Sequence, residues 1–232
     1  MTLDPKTGRA IARLMCTTTR DILWSSYRDR LRQTRPRSHL ECRTGSGRAT
    51  YHRYDHRNQH HLITYGVGMV MAKQAPETAV SWLSTREIRS RGYFGGEVSV
   101  LNLLAHTCTH EFAHLLQQHA GKRYHGSVHN RDFYRLLDQL NDDGLAARTR
   151  ERLADLAQRQ GLALDDDPMV MPCQQTQAAQ WQPGDLVRFG KGRSAREGRI
   201  LRVNRKTCTV EGTGASRGLR FRVPFVMLEA TE

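Results

Sequence analysis

The 232-residue sequence predicts an α+β fold in two parts. Over residues 1–161, apolar residues recur with the 3.6-residue period of helices, and a stretch rich in β-branched and aromatic residues lies among them. After residue 181 the pattern changes to short alternating segments separated by glycine and asparagine turns, which is typical of a small antiparallel barrel. We therefore expect a small sheet packed on helices, followed by a small all-β barrel of the SH3-like kind.

The predicted elements of the first part follow in chain order. A helix with a basic outer face covers residues 5–33, and residues 40–71 are predicted to form strands with a polar turn at Asn58. Residues 98–120 form a helix that ends before Gly121, a residue type common at this position. Two further helices, each ending at a glycine, are predicted over residues 129–143 and 146–160.

A polar segment separates the two parts. Residues 162–180 contain two prolines and several glutamines, and this composition is typical of a linker. The predicted domains are therefore residues 1–161 and residues 181–232. The functional core of the first domain is predicted over about residues 60–143.

The charge of the chain is unevenly distributed. With 36 Lys and Arg residues against 23 Asp and Glu residues, the net charge is +13. It divides into +8 over residues 1–53, −1 over residues 54–180 and +6 over residues 181–232. Such a surplus indicates an acidic partner, of which nucleic acid is the usual one. Because the excess lies at the two ends, we expect it to position the protein rather than to perform its chemistry.

Composition disfavours several classes of protein. The sequence has no apolar run as long as a membrane span, so no membrane partner is expected. The N-terminal residues do not resemble a secretory signal, so a cytoplasmic location is expected. The five cysteines are scattered and contain no C-x-x-C pair, which argues against a disulfide framework and against a zinc ribbon. The oligomeric state is not indicated.

A short motif carries the predicted chemistry. It reads His110-Glu111-Phe112-Ala113-His114 and lies within the helix predicted over residues 98–120. Histidines at positions i and i+4 lie one turn apart on one helix face, where both can bind the same metal ion. With one further ligand, a tetrahedral zinc ion keeps one position for water and lowers the pKa of that water to about 7. One catalytic Zn²⁺ is therefore the predicted cofactor, and Glu111 is the predicted base.

The third metal ligand is expected nearby in the sequence. His129 is favoured because it begins a new helix after a glycine-containing loop, so a second helix can cross the first and bring this side chain to the metal. His125 and Asp132 remain alternatives. His119 is too close to the helix end to fold back towards the motif.

His106 and Tyr124 are expected close to the metal without binding it, and so is His125 if it is not a ligand. His106 lies one turn before His110, and three ligands on successive turns of a straight helix cannot converge on one tetrahedral ion. His106 is therefore expected to support the ligands or to face solvent. Tyr124 and His125 are candidate donors to the substrate oxyanion.

The residues around the motif resemble the SprT-like zinc metallopeptidases, a family related to Spartan. The similar features are the HEFAHLL helix, the short basic loop 121–124 and the segment His129-Asn130-Arg131-Asp132-Phe133. The resemblance covers roughly residues 60–140. It implies zincin-type helices, Glu111 as the catalytic base, and a protease that acts on DNA-associated proteins, as in the repair of DNA–protein crosslinks. It implies that the zinc ligands are His110, His114 and His129. A metzincin is disfavoured because the H-x-x-G-x-x-H spacing is absent after His114.

The C-terminal part departs from this family. Many SprT-like proteins carry a C-terminal zinc ribbon, and this sequence has the predicted barrel instead. The barrel segment interleaves basic residues with aromatic ones, a pattern that suits nucleic acid, although Phe189 and Phe221 are expected in the core. The candidate contacts to nucleic acid, in particular DNA, are Arg188, Lys191, Arg193, Arg199, Arg202, Arg205 and Lys206.

These features lead to one main hypothesis. A zinc-dependent metallopeptidase would hydrolyse a protein or peptide substrate held extended along a sheet edge, for which the strand Ile63–Met71 is predicted. One alternative is a nucleic-acid-binding or adaptor protein whose metal site is structural. Another is a regulatory protease that acts on a single repressor.

Overall fold

The protein consists of two compact units, Met1–Met169 and Val170–Glu232. The computed structural model describes residues 4–171, 178–190 and 195–231. The predicted α+β class is confirmed, because the first unit packs a small sheet on helices and the second contains an antiparallel sheet. Within the described ranges, no helix combines the length and the apolar character needed to cross a bilayer.

The first unit begins with a long, nearly continuous helical segment. Helix α1 (Pro5–Thr18) is followed by a π-helical stretch (Thr19–Trp24) and by α2 (Ser25–Thr34). Asp4 caps the start of α1, since its Oδ1 accepts a hydrogen bond of 2.8 Å from the backbone N–H of Lys6. The predicted helix over residues 5–33 is therefore present, with an irregular middle.

A three-stranded sheet packs on this helix. Strands β1 (His39–Gly45), β2 (Tyr51–Asp55) and β3 (His60–Gly66) have the order β1-β3-β2. Strand β3 pairs with β1 in parallel and with β2 in antiparallel fashion, so β3 is the central strand. The edges of the sheet are β1 and β2, and β2 lies next to the helix that carries the metal-binding motif.

The prediction that Ile63–Met71 forms a strand at the edge that binds substrate is wrong in two respects. Strand β3 ends at Gly66, and Val67–Ala72 form the short helix α3. A Cβ atom on Gly66 would lie 2.5 Å from the carbonyl oxygen of Gly47, so the loop after β1 crosses the chain there and ends the strand. The extended half of the predicted segment is the central strand, whose two sides are already paired.

The remaining helices of the first unit surround one central helix. This helix, α6 (Val100–His119), is buried along most of its length. It follows α4 (Pro76–Ala79), α5 (Leu83–Arg91) and a 3₁₀ turn (Tyr93–Gly96), and it packs against α7 (Arg131–Asp142) and α8 (Leu145–Arg159). Gly121, at φ +68°, follows the end of α6 as predicted.

Part of the predicted linker belongs to the first unit. The backbone N–H of Leu101, in the first turn of α6, donates to the carbonyl of Asp165 at 3.0 Å. The N–H of Met169 donates to the carbonyl of Val98 at 2.7 Å. The first of these bonds satisfies a backbone N–H at the helix start that has no partner inside the helix. Residues 172–177 of the predicted linker lie outside the described residues.

The second unit is a five-stranded antiparallel sheet. Its strands are β4 (Leu186–Phe189), β5 (Arg196–Val203), β6 (Thr207–Gly212), β7 (Arg220–Pro224) and β8 (Leu228–Ala230), in the order β7-β6-β5-β4-β8. Phe189 is buried in its core, and the ring of Phe221, 5.1 Å away between centroids, packs against this core. Both phenylalanines therefore serve packing, as the sequence predicts.

Candidate metal centre

Helix α6 brings the two histidines of the motif together. His110 and His114 are one turn apart, and their ring centroids are 4.9 Å from each other. The side chain of Ser99 caps the helix, accepting the N–H of Asn102 at 3.1 Å. Because α6 is buried on nearly all sides, its backbone holds both imidazoles in fixed positions.

His129 approaches these histidines from the loop before α7. Its Nε2 atom lies 3.1 Å from Nε2 of His114 and 3.2 Å from Nε2 of His110. The three residues form a group whose ligand atoms all lie within 4.8 Å of one another. His114 is buried and His129 is exposed, so the cluster opens to solvent on one side.

Two buried side chains fix the orientation of the motif histidines. The Nδ1–H of His110 donates to Oε2 of Glu87 at 3.0 Å. The amide nitrogen of Gln117 donates to two oxygens, the carbonyl of Val128 at 2.9 Å and Oδ1 of Asn130 at 3.0 Å. The amide oxygen of Gln117 therefore faces His114 and accepts its Nδ1–H at 3.3 Å.

This arrangement tests whether the residues suit a metal ion. With their protons on Nδ1, His110 and His114 both present an unprotonated Nε2 atom to the same point. Lone pairs that converge in this way repel one another unless a cation lies between them. Burial, reinforced by the charge of Arg123, also lowers the pKa of His114 to about 2, so this side chain is neutral at pH 7. The donor set of three imidazoles fits zinc.

An aromatic side chain packs against all three histidines. Phe133 is fully buried, and its ring stacks on His114 with centroids 4.3 Å apart. Its ring centroid is also 4.9 Å from those of His110 and His129. Phe133 thus forms the apolar floor of the cluster.

Glu111 lies beside the cluster in a buried position. It is 6% exposed, and its Oε2 atom has no hydrogen-bond partner among the described residues. Burial raises the pKa of Glu111, and the nearby charges of Arg123 and Lys73 oppose that rise. A carboxylate oxygen without a protein partner is suited to accept a proton from water or from a substrate group.

The other candidate residues lie outside the cluster of His110, His114 and His129. His106 is fully buried and donates its Nε2–H to Oε2 of Glu87 at 2.9 Å, so it supports the residue that orients His110. His119 bonds Thr34 at 2.7 Å. Among the described residues, His125 and Asp132 do not join the histidine cluster. Tyr124 is exposed.

Glu87 and Gln117 are the functional residues that the sequence did not reveal. Gln117 lies three residues after His114 on the same helix face, and this spacing is a usable signal. Glu87 lies 23 residues before His110, on α5, and nothing in the sequence links the two positions. Hydrogen bonds from His106 and His110 lower the pKa of Glu87 despite its burial, so it is a carboxylate.

The residues predicted to contact nucleic acid lie on the second unit. Arg188 lies opposite Glu197 on β5 and Glu229 on β8, and Arg199 lies opposite Glu211 on β6. The exposed Arg202 lies opposite Thr209, whose other neighbour is Arg222. The turn between β5 and β6 contains the exposed Arg205 and Lys206. Lys191 and Arg193 lie outside the described residues.

Comparison with known proteins identifies no relative. No family model matches the chain, and no curated protein or solved structure matches it at a significant level. The resemblance to the SprT-like family therefore stays a prediction based on the motif residues.

Proposed function

We propose that this protein is a zinc-dependent metallopeptidase that acts on DNA-associated proteins. The observation that carries the proposal is the convergence of His110, His114 and His129 beside the buried carboxylate of Glu111. Zinc supplies Lewis-acid polarisation and lowers the pKa of water to about 7. All other contributions come from the side chains around it.

Each of these side chains has a separate role in the proposed reaction. The three histidines hold the ion, while Glu87 and Gln117 keep the Nδ1 protons of His110 and His114 in place. Glu111 accepts the proton of the attacking water. Its Oε2 atom has no hydrogen-bond partner among the described residues, and Glu111 directly follows His110 in the chain. Three histidine ligands would leave one position of a tetrahedral ion for water.

The edge strand β2 replaces β3 as the proposed substrate-binding strand. β2 pairs with β3 on one side only and lies next to α6. The carbonyl of His52 accepts a hydrogen bond of 3.2 Å from Arg123, which joins β2 to the loop before His129. A peptide paired along β2 would have its backbone aligned beside Glu111 without any demand on its sequence.

Nucleic-acid binding forms the second half of the proposal. The net charge of +6 over residues 181–232 supports it. Within the second unit, Arg188 and Arg199 face glutamates across the strands, whereas Arg202 and Arg222 flank Thr209. We therefore assign the phosphate contacts to Arg202, Arg205, Lys206 and Arg222. Arg222 was not among the contacts predicted from the sequence.

Replacement of the proposed base tests the catalytic half. Glu111→Gln keeps the shape of the side chain but cannot accept the proton, so hydrolysis of an unfolded protein substrate should fall by about 10²- to 10⁴-fold. The zinc content, measured by atomic emission, should stay at one ion per chain. The exposed Glu77→Gln serves as the matched control and should keep full activity.

Two results would contradict the proposal. Full activity of the Glu111→Gln protein would remove Glu111 from the mechanism. Normal zinc binding without any hydrolysis by the unmodified protein would favour the adaptor hypothesis. A histone mixture, offered with and without DNA, tests in the same assay whether nucleic acid promotes cleavage.

A further inference from the structure

The sheet of the first unit has a solvent-facing side that the metal centre does not use. We call it the outer sheet face. Its residues lie in three rows across β1, β3 and β2, as given by the strand register. The rows are His39–His60–Asp55, Glu41–Leu62–Arg53 and Arg43–Thr64–Tyr51. All six of the β1 and β2 members are exposed, so these side chains are accessible.

Flat rings lie on this face. The imidazoles of His39 and His60 stack with centroids 4.3 Å apart and planes 4° from parallel. Tyr51 is 38% exposed, and Arg43 donates to its hydroxyl at 3.4 Å and to Oγ1 of Thr64 at 3.2 Å. Arg43 thereby holds the Tyr51 ring in position without covering it. Such rings can stack on nucleobases of any sequence.

In the segment that carries β1 and β2, arginines outnumber acidic residues. Asp55 is engaged in the following turn, where Oδ1 accepts the N–H of Arg57 at 2.9 Å and Oδ2 accepts the Asn58 amide at 2.7 Å. Glu41 lies 3.4 Å from His60. Arg53 and Arg57 are exposed, and residues 35–60 contain six arginines against two acidic residues. The face is therefore complementary to a chain of phosphates.

A cleft lies where the rings and the arginines meet. Its volume is about 480 Å³, at the end of the β2–β3 hairpin. Its walls combine two guanidinium groups with imidazole, phenol, aliphatic and carboxylate groups. The lining residues are Arg53, Tyr54, Asp55, His56, Arg57, His60 and Leu62. This mixture offers both a phosphate contact and a surface for a base.

We propose that the outer sheet face binds single-stranded nucleic acid, with bases stacked on the His39–His60 pair and on Tyr51 and with phosphates held by Arg53 and Arg57. Exposed rings favour a single strand, because the bases of a duplex are already stacked on each other. This inference deepens the nucleic-acid half of the proposed function. It places a nucleic-acid site on the unit that carries the metal centre, and on the strand proposed to hold the substrate.

Binding of labelled oligonucleotides tests the proposal without any need for hydrolysis. Fluorescence anisotropy with oligo(dT) and oligo(U) of roughly 12 nucleotides, and with a duplex of the same length, distinguishes DNA, RNA and double strands. The double variant Arg53→Gln/Arg57→Gln should bind both single strands about tenfold more weakly at about 0.1 M salt. The slope of log K against log salt should fall by about 0.7 for each lost phosphate contact.

Matched variants separate this site from general electrostatics. Arg148→Gln/Arg159→Gln removes the same charge from exposed positions of α8 and should bind like the unmodified protein. Tyr51→Ala should weaken binding while leaving the salt slope unchanged, because it removes stacking and no charge.

Two results would refute the outer sheet face as a nucleic-acid site. One is an equal loss of oligonucleotide affinity in the Arg53/Arg57 and Arg148/Arg159 variants, and the other is tighter binding of the duplex than of the single strands. A protein without peptidase activity could still pass the binding test, so the two proposals fail separately.

Discussion

Glu87 connects two histidines of α6 through a single oxygen. Its Oε2 atom accepts hydrogen bonds from His106 and from His110, at 2.9 and 3.0 Å. A carboxylate in this position fixes the tautomer of His110. It also makes the other ring nitrogen, Nε2, more basic and so a stronger ligand for a metal ion. The geometry of the candidate metal centre therefore depends on a residue outside the cluster of His110, His114 and His129.

Replacement of Glu87 should weaken metal binding. In Glu87→Gln the negative charge is lost, and the neutral amide accepts the N–H groups of His106 and His110 less strongly than the carboxylate does. Zinc affinity should therefore fall by about 10- to 100-fold. Competition with a chelator measures this affinity. The exposed Glu97→Gln, just before α6, is the control and should bind zinc normally. An unchanged affinity in the Glu87 variant would show that the hydrogen bond to His110 is dispensable.

Lys73 is a second buried polar residue with a measurable consequence. It is 2% exposed, it donates to Oγ1 of Thr107, and its ammonium lies 5.3 Å from the centre of the Trp82 ring. Burial lowers the pKa of Lys73 to about 7, although the charge of Glu111 opposes this effect. In the unfolded chain the pKa of lysine is about 10.4.

The lowered pKa predicts how stability depends on pH. Between about pH 7 and pH 10 the unfolded chain binds the proton and the folded protein does not, so the free energy of unfolding should rise with pH. Lys73 should contribute up to about 1 kcal/mol per pH unit in this window. Urea unfolding of the zinc-free protein and of Lys73→Met, at several pH values, isolates this contribution. If the free energy of unfolding depended on pH in the same way in both proteins, this contribution of Lys73 would be contradicted.

At the scale of elements, the start of α7 determines where His129 lies. Oδ1 of Asn130 accepts the N–H of Phe133 at 3.0 Å, which caps the helix, and also accepts the amide N–H of Gln117 at 3.0 Å. The same side chain thus begins α7 and joins it to α6. Because His129 immediately precedes Asn130, the capping interaction and the metal centre are coupled.

Two capping residues allow this coupling to be tested. Asn130→Ala and Ser99→Ala should each lower the free energy of unfolding by about 1 kcal/mol, because each removes an N-cap. Only Asn130→Ala should also weaken zinc binding, since Ser99 caps α6 far from the motif in the chain. Thermal unfolding and chelator competition provide the two readouts. Equal zinc affinities in the two variants would separate α7 capping from the metal centre.

The elements also show what the sequence could predict. The long helices were predictable because their apolar periodicity extends over several turns and glycine marks their ends. The end of β3 was not, because it depends on Gly66 meeting the loop around Gly47, a contact between distant positions. The motif histidines were predictable from their spacing, whereas Glu87 reaches His110 only through the packing of α5 on α6.

On the scale of the whole molecule, charge and chemistry occupy different regions. The metal centre lies in a segment of net charge −1, and the basic residues lie before and after it in the chain. The strand register refines this picture, because Arg188 and Arg199 lie opposite glutamates and Arg53 and Arg57 lie by a cleft. Net charge alone could not distinguish these arginines, since pairing across strands is a property of the folded sheet.

X-ray absorption at the zinc edge of the zinc-loaded protein tests whether the three histidines hold the ion. We expect three imidazole nitrogens at about 2.0 Å and one oxygen from water, in a four-coordinate site. His129→Ala should lose one imidazole from this shell, and His125→Ala should keep all three. A sulfur ligand at about 2.3 Å, or a fourth protein ligand in place of the water, would contradict a catalytic centre built from His110, His114 and His129.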